Sequence, residues 1–489
     1  MTKQKSLKLN FVMNVILSMT SFIFPLITFP YVSRILLPIG TGKVSFATSL
    51  ISYFSMFAQL GIPVYGIRAC AKVRDDREKL TRIVQELLII NLVMDVISYA
   101  LLILTLIFVP RLYDDRTLYA IVSLTIVLTS IGMEWLYKAL EQYTYITIRS
   151  IVFKFVALVV MFLLIHTQKD YVIYGGITIL AASASNVMNF INVHRYIDFK
   201  PAGKYNFRQH FKPVVTFFAM SCASTIYLHM DTVMLGFMST EADVGYYDAA
   251  VKIRKVLLSI VTSLGAVLLP RASYYVEHGL MDEFRKITRK AFSFVFIIAC
   301  PMTIYFMIYA KESVFLLSGE AYEGAILPMQ IIMPTLFLVG ISNITGMQIL
   351  VPMGKENLVL YSEIAGAVVD VIINVILIPK FASVGVAIGT LVAEVIVLIV
   401  QVCGLRNEVK DSFKQVQYLK ISIAIIFGVL ASFWVTYLHI SPFLTLAISS
   451  VLFFGVYGFV LLCSREKLVV EIADQGVSIF KKKCNSLKK

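Results

Sequence analysis

The chain is dominated by apolar runs of about 20 residues, the length that an α-helix needs to cross the hydrocarbon core of a bilayer. Short stretches that contain Pro, Gly or charged residues separate the runs. The pattern predicts an all-α polytopic membrane protein with about 14 transmembrane helices, which we place at residues 11–36, 43–66, 84–109, 117–138, 146–166, 170–193, 213–237, 244–270, 288–309, 325–350, 357–378, 383–405, 417–439 and 442–464.

The composition agrees with this pattern. Of the 489 residues, 58% are hydrophobic and only 15% are charged. A soluble protein of this size could not cover so much apolar surface with polar atoms, so we expect lipid as the solvent. The six cysteines show no paired spacing and are interpreted as small hydrophobic residues. The first apolar run lacks a small-residue cleavage site, so we expect no cleavable signal peptide.

Basic residues are distributed unequally between the two sides of the predicted membrane. With the N-terminus inside, 33 of the 44 Lys and Arg residues fall on the inner side, 7 fall on the outer side and 4 lie within helices. This bias predicts that both termini are cytoplasmic. It also accounts for the net charge of +14, because basic loops face an anionic leaflet, and no nucleic acid is needed to explain it.

A weak internal repeat divides the chain. Gly42 and Arg68 are 26 positions apart, as are Gly245 and Arg271, and an Arg-Ala-Cys triplet in the first segment matches Arg-Ala-Ser in the second. Both segments begin outside and end inside. They therefore predict a parallel repeat about an axis along the membrane normal, with a substrate path between two six-helix lobes.

The repeat and the basic loop after the sixth helix define the predicted domains. Helices 13 and 14 fall outside the repeat, and the chain ends in a Lys-rich stretch. We expect an N-lobe at residues 1–197, a cytoplasmic linker at 198–212, a C-lobe at 213–408, two further helices at 409–466 and a basic cytoplasmic tail at 467–489.

Motifs for covalent chemistry are not found in the sequence. The GTGK sequence at Gly40–Lys43 is not a phosphate loop, because Leu37 and Val44 stand where that loop needs Gly and Ser or Thr. No other ATP-binding signature, zinc spacing or catalytic triad pattern occurs. We therefore expect a protein that is not an enzyme and that holds no cofactor beyond a coupling H⁺ or Na⁺.

Basic residues inside the eighth predicted helix are candidates for a substrate cavity. Asp248, Lys252 and Lys255 follow i, i+4, i+7 spacing and share one helix face. Lys255 lies about 11 residues from the outer end, roughly 16 Å deep, which is too deep for easy snorkelling. The structural alternative is an Asp248–Lys252 pair that neutralises itself. That pair leaves Lys255 and Arg254 unexplained, and Arg254 points away and could pair at a helix interface.

The fourth and fifth helices carry a second group of polar residues. Glu134 and Lys138 have salt-bridge spacing, and Trp135 suits an interfacial belt, so a structural role explains this group as well as a functional one. Arg149 suits an anchor at the inner interface. Lys154 lies about one and a half turns deeper and is the better candidate for a cavity.

Carboxylates in apolar helices are candidates for ion coupling or gating. Burial raises the pKa of such a group, which can then bind and release a cation. The alternative is a protonated acid that hydrogen-bonds between helices, which we favour for Asp95. The ion-coupling candidates are Asp231, Asp248, Asp370 and Glu394.

Several distinctive segments follow one another from helix 1 to helix 12, at Phe29–Arg34 (FPYVSR), Gly61–Arg74 (GIPVYGIRACAKVR), Met133–Ser150 (MEWLYKALEQYTYITIRS), Leu228–Gly236 (LHMDTVMLG), Val244–Ile253 (VGYYDAAVKI), Leu268–Ser273 (LLPRAS) and the run from Ile378 to Glu394. In sequence and in order they resemble the signatures of Wzx-type polysaccharide repeat-unit flippases. These belong to the MOP exporter superfamily, together with MATE drug exporters and lipid II flippases.

The resemblance implies a MATE/MOP-like fold in the bacterial plasma (inner) membrane and alternating access. It also implies a cationic cavity that receives an undecaprenyl-diphosphate-linked oligosaccharide for capsule, exopolysaccharide or O-antigen-like synthesis. Implied partners are that lipid-linked oligosaccharide, membrane lipids and, as further candidates, the polysaccharide polymerase and chain-length regulator. Glu134, Trp135 and Arg149 belong to one matching motif. With Lys154 added from its depth, the cavity residues are Arg34, Arg68, Lys154, Lys252, Lys255 and Arg271.

Three other functions are alternatives. A MATE-like drug/cation antiporter would favour a cavity dominated by carboxylates, and the basic eighth helix disfavours it. A lipid II-type flippase belongs to the same superfamily. A membrane glycosyltransferase or ligase would need catalytic carboxylates or large outer loops, and the predicted outer loops are short.

The predicted topology can be tested with reporter fusions. Fusions after residues 75, 204 and 410 should all report the cytoplasm, because each position lies in a basic inner loop. A signal from the opposite side at residue 204 would contradict the two-lobe arrangement.

Overall fold

The computed structural model is helical throughout the part of the chain that it describes. That part comprises residues 7–201, 203–405, 413, 416–471 and 474, and it contains no β-strand. The predicted all-α class is therefore confirmed. Residues 475–489, which make up most of the predicted basic tail, lie outside the described residues, as do Ala202 of the predicted linker and residues 406–412.

The chain divides into two compact units, residues 1–248 (unit 1) and residues 249–489 (unit 2). The lobe, linker and tail boundaries given above stay predictions. The helices of unit 1 are α1 (Leu7–Gln59), α2 (Ile62–Ala71), α3 (Arg77–Phe108), α4 (Arg116–Gly132), α5 (Glu134–Ala139), α6 (Tyr143–Leu164), α7 (Tyr171–Ile179), α8 (Asn186–Asn192), α9 (Arg208–Met238) and the start of α10 (Glu241–Glu277), with a π-helical turn at Leu180–Ala184.

Unit 2 holds the rest of α10, which bends by 40° between Ser263 and Leu268. Its other helices are α11 (Met281–Ile308), α12 (Ala310–Ser318), α13 (Ile326–Ile332), α14 (Thr335–Asn343), α15 (Glu356–Gly404), α16 (Tyr418–Ser432) and α17 (Pro442–Cys463), with a π-helical turn at Ile344–Leu350.

Ten helices in the described residues are long and apolar enough to cross a membrane, or up to twelve if each of two bent pairs is one span. Two of the ten run over 60 and 49 residues, at Val12–Ala71 and Glu356–Gly404. At 1.5 Å per residue each exceeds twice the ~30 Å hydrocarbon core. The backbone leaves helical geometry inside each, at Leu37 (φ 57°) and Ala382 (φ 47°), so each holds two arms. Fourteen crossings stay a prediction.

Two glycines that begin the sequence repeat face each other where α1 crosses α10 in unit 1. A Cβ atom on Gly42 would lie 1.8 Å from the carbonyl oxygen of Glu241, and one on Gly245 would lie 2.1 Å from the carbonyl oxygen of Pro38. No side chain fits at either position, so the two backbones approach as closely as in small-residue crossings of membrane helices. The Arg111–Glu241 ion pair, at 3.0 Å, joins the segment after α3 to the start of α10.

The chain between α8 and α9 is tied to α3. Arg77 and Asp198 form an ion pair at 2.8 Å, and this guanidinium holds the pKa of the Asp198 carboxyl below its usual value. The buried Glu86 carboxylate accepts hydrogen bonds from the backbone N–H of Asn206 (2.6 Å) and from His210 Nε2 (2.6 Å). Tyr65 of α2 lies 2.8 Å from His210 Nδ1. Three helices are therefore held at one end of unit 1.

An apolar cluster packs beside this contact. Trp135 and Leu136 of α5 lie against Ile62 and Cys70 of α2 and Val84 of α3, and all five are buried. Gly66 permits the approach, because a Cβ atom there would lie 2.7 Å from the Trp135 ring. The expectation that Trp135 lies in an interfacial belt is wrong, since α2 and α5 bury the indole between them.

Substitution at the glycine crossing should disrupt unit 1. Gly245→Ala places a methyl group within 2.1 Å of a backbone oxygen, and the helices must separate to accept it. We expect a loss of several degrees in Tm in detergent and reduced membrane level. The matched control is Gly455→Ala in α17, where a Cβ atom meets nothing within 4 Å. That change should be neutral or slightly stabilising. If Gly245→Ala and Gly455→Ala had the same Tm and the same membrane level, the close helix contact at Gly245 would be contradicted.

Candidate functional site

The predicted cations of unit 1 lie on three different helices. Arg34 is exposed on α1 and donates to the carbonyl oxygen of Pro30, and Arg68 is exposed on α2. Lys154 of α6 is half-buried, and its Nζ lies 3.3 Å and 3.1 Å from the hydroxyl oxygens of Thr20 and Ser21 on α1. Because about 13 residues of α1 separate Ser21 from Arg34, roughly 20 Å, Lys154 and Arg34 do not form one cluster.

The predicted cations of unit 2 lie along a single helix. Lys252 is half-buried and Lys255 is exposed, and both follow Asp248 in an unbroken part of α10. The i, i+4, i+7 spacing therefore places all three on one face. Arg271 is exposed beyond the bend of the same helix. Their role in binding stays a prediction.

Glu394 is not an isolated carboxylate, contrary to the sequence-based expectation. Its Oε1 lies 3.2 Å from Nη2 of Arg254, and both side chains are largely buried. The pair joins α10 to the second arm of α15 within unit 2, which explains why Arg254 points away from the lysine face. An ion-coupling role for Glu394 stays a prediction.

The other carboxylates have structural neighbours as well. Asp231 of α9 accepts a hydrogen bond of 2.5 Å from the hydroxyl of Tyr247 on α10. Asp370 lies against Gly389, where the two arms of α15 pack together. Ser130 donates a 2.8 Å hydrogen bond to Asp95, which confirms the inter-helix bond expected there.

The Glu134 motif is a polar junction in which Arg149 is buried and Glu134 and Lys138 are half-buried. Glu134 pairs with Lys138 at 2.8 Å, as their spacing predicted, and lies 3.5 Å from Arg149. Arg149 also donates to the carbonyl oxygen of Ser185 (2.9 Å) and to Oδ1 of Asn186 (3.2 Å). The expectation that Arg149 anchors the inner interface is wrong, because its side chain is 5% exposed and is enclosed by α5 and the start of α8.

Two polar cavities adjoin this junction in unit 1, and Gln59 and Pro63 line both. We call them together the Gln59 cavity. The first, of about 150 Å³, is lined by Gln59, Pro63, Asn91, Thr129, Ser130, Glu134, Trp135, Lys138 and Asn186. The second, of about 220 Å³, is lined by Ser52, Ser55, Met56, Gln59, Gly61, Pro63, Thr125, Ser221, Thr225 and His229.

Three interruptions of regular helix lie at or next to residues that line the Gln59 cavity. α1 ends where Leu60 and Gly61 take positive φ values of 44° and 71°, and Met133 (φ 41°) separates α4 from α5. The π-helical turn at Leu180–Ala184 precedes Asn186. Backbone that leaves the helix at membrane depth is tolerated where protein covers it or where it lines a watery cavity, and transporter sites are often built from such breaks.

The lining of the cavity suits an uncharged polar ligand. Most of its polar groups are hydroxyls and amides, and the Glu134 and Lys138 charges neutralise each other. Among the described residues, no group of three or more His, Cys, Asp and Glu side chains could hold a metal ion.

Sequence reasoning missed most of the lining residues. Charged residues inside helices are the conspicuous candidates in the sequence, whereas the lining of this site consists mostly of neutral Ser, Thr, Gln and Asn. A signal was present: Ser52, Ser55 and Gln59 lie at i, i+3, i+7 on one face of α1, directly before Gly61 and Pro63.

Comparison with known proteins identifies the family. Residues 7–276 match the sequence model of a family described as polysaccharide biosynthesis protein. The chain belongs to this family. The resemblance seen in the sequence is thereby confirmed.

Three relatives of this family member carry names of transporters or flippases. A "putative O-antigen transporter" of Escherichia coli (strain K12) is 24% identical over 408 residues, covering 83% of this chain and 98% of the relative. A protein of the same name from Shigella dysenteriae is 23% identical, and the match covers 78% of this chain and 95% of the relative. The "probable low-salt glycan biosynthesis flippase" of Haloferax volcanii is 20% identical, and the match covers 44% of this chain and 45% of the relative.

A solved structure shares the fold. The lipid II flippase MurJ in an inward closed conformation matches with a TM-score of 0.69 over 92% of this chain and 98% of that chain, at 15% identity.

The buried pair in unit 2 yields a prediction about stability. Arg254→Ala leaves the Glu394 carboxylate buried without its cation, and we expect the free energy of unfolding to fall by about 3–5 kcal/mol. The readout is Tm in detergent. Arg254→Met with Glu394→Met should recover much of the loss, since apolar replacement of a whole buried pair is often neutral.

The matched control is Arg285→Ala, whose exposed side chain lies 3.7 Å from Asp282. A double variant as unstable as Arg254→Ala would show that the unpaired charge is not the cause.

Proposed function

We propose that this protein moves an undecaprenyl-diphosphate-linked oligosaccharide repeat unit from the cytoplasmic to the outer leaflet of the bacterial plasma membrane by alternating access. The polymer served is a surface polysaccharide of the capsule, exopolysaccharide or O-antigen kind. Membership of the polysaccharide biosynthesis family and two relatives named as O-antigen transporters support the proposal.

The observation that carries the proposal is the row of cations on α10. Lys252 and Lys255 share a face of one helix in a multi-pass membrane protein of this family. A charge at the bilayer centre costs roughly 2.5–3.5 kcal/mol on insertion scales, so such residues are kept where they face water or an anion. Lysine binds phosphate as a point charge, which suits a diphosphate head group.

The proposal includes three further elements. Both termini face the cytoplasm, as the basic inner loops indicate. Transport is coupled to H⁺ or Na⁺ through Asp231 and Asp370. The polymerase and chain-length regulator receive the product in the outer leaflet.

A second candidate substrate is lipid II, and the shared fold with the lipid II flippase favours it. Both candidates are carrier-linked glycans that need the same kind of path. Complementation separates them: one strain lacks its own repeat-unit flippase and the other lacks its own lipid II flippase, and we expect rescue of the first.

Lys255 is the residue with which to test the proposal. In a strain without its own repeat-unit flippase, Lys255→Ala should lower polymer output at least tenfold per unit of membrane protein, the factor that about 1.4 kcal/mol represents. Lys255→Arg should retain export, because it keeps the charge. The matched control is Lys286→Ala on α11, an exposed lysine 3.9 Å from Glu283, which should export normally.

Normal export by Lys255→Ala at a normal protein level would contradict the assignment of the substrate to this face. Loss in both the Ala and the Arg variants would show that the ammonium shape matters as well as the charge.

A further inference from the structure

We infer that the Gln59 cavity of unit 1 is a sugar-binding subsite that holds one residue of the transported oligosaccharide. The inference rests on the proposed function and assigns a second part of the same substrate. The cations on α10 suit a diphosphate, whereas this cavity offers the chemistry that a neutral sugar needs.

The hydrogen-bonding groups of the cavity match sugar hydroxyls, which both donate and accept. The amides of Gln59, Asn91 and Asn186 each carry donors and an acceptor, and hydroxyls can act either way. The charged groups of Glu134 and Lys138 are 2.8 Å apart and add further hydrogen-bonding capacity to the lining.

Part of this capacity is open to a ligand. Gln59 uses its amide N–H₂ on the Ser55 hydroxyl (2.8 Å), and Asn91 uses its own on the carbonyl oxygen of Ala58 (3.0 Å). Within the described residues, these bonds leave the accepting oxygens of the two amides for water or substrate.

One wall of the cavity is apolar. Trp135 and Pro63 line the first cavity, and Met56 and Pro63 line the second. Most of the Trp135 indole is packed against α2, so the apolar lining consists of the part of Trp135 that reaches the cavity together with Pro63 and Met56. The C–H groups of a sugar ring can contact these atoms while its hydroxyls reach the surrounding polar groups.

The volume sets the size of the ligand. Cavities of about 150 and 220 Å³ lie below the 300–1,000 Å³ typical of sites for drug-sized molecules. Each therefore suits a single sugar ring rather than a whole oligosaccharide. Gly61 lines the second cavity, and Met133 directly precedes Glu134 and Trp135 of the first, so a break in the helical backbone adjoins each cavity.

The chain provides its own reporter for a binding test. It contains two tryptophans, Trp135 in the cavity and Trp434, whose side chain is exposed in unit 2. Trp434→Phe therefore leaves Trp135 as the sole source of tryptophan emission. In this background, full-length protein in detergent is titrated with the free repeat-unit oligosaccharide cleaved from the carrier lipid of the native host.

We expect a saturable change in Trp135 emission with the oligosaccharide and none with farnesyl diphosphate, which carries the diphosphate without sugar. Gln59→Leu should weaken the oligosaccharide response at least tenfold, and Ser55→Ala, a smaller change, several-fold. The matched control is Asn14→Leu, an amide-to-aliphatic change at an exposed position of α1 that should bind as the parent does. Thermal unfolding of each variant verifies folding.

Export separates this inference from the function on which it rests. If Trp135 does not respond to the oligosaccharide, or responds equally to farnesyl diphosphate, the sugar subsite is overturned. If Gln59→Leu also exports normally while Lys255→Ala does not, the flippase proposal stands without the subsite. If neither the parent protein nor any variant supports polymer export, the proposed function itself fails.

Discussion

The fold depends on the rule that backbone N–H and C=O groups inside a membrane must find partners within the protein. Regular helix satisfies them, so each departure from helix requires cover or water. In this chain the departures at Leu60–Gly61 and Met133 lie in unit 1 next to residues that line the Gln59 cavity, and those at Leu37 and Ala382 divide the two longest described helices. The positions of the breaks therefore determine where a polar substrate can be accommodated.

The helix crossing at Gly42 and Gly245 shows how the internal repeat is used. The same residue type at the same repeat position allows α1 and α10 to meet at backbone distance. Close packing of this kind replaces the hydrophobic effect, which is weak between helices that already lie in lipid. Two positions that the sequence pattern aligns are therefore in direct contact within unit 1.

Much of the architecture could be predicted from the sequence because lipid imposes a simple length rule on apolar runs. The helical class, the family and the pairing of Glu134 with Lys138 follow from hydropathy, motifs and helix spacing. The surroundings of Arg149, Trp135 and Glu394 do not. Their neighbours come from segments distant in the chain, such as Ser185 for Arg149 and Arg254 for Glu394, and a single helix pattern carries no information on them. The neutral lining residues differ, because the spacing of Ser52, Ser55 and Gln59 on α1 is visible in the sequence although none of them carries a charge.

The contact of Tyr65, His210 and Glu86 has a mechanical consequence. His210 Nε2 donates to the Glu86 carboxylate while its Nδ1 shares a hydrogen bond with the Tyr65 hydroxyl, so hydrogen bonds link α2 through α9 to α3. Sliding any of these helices along another would break a buried bond whose loss costs more than its formation gains. At this end, α2, α3 and the start of α9 therefore move as one rigid block, and any rearrangement of unit 1 must take place at the helix breaks beyond it.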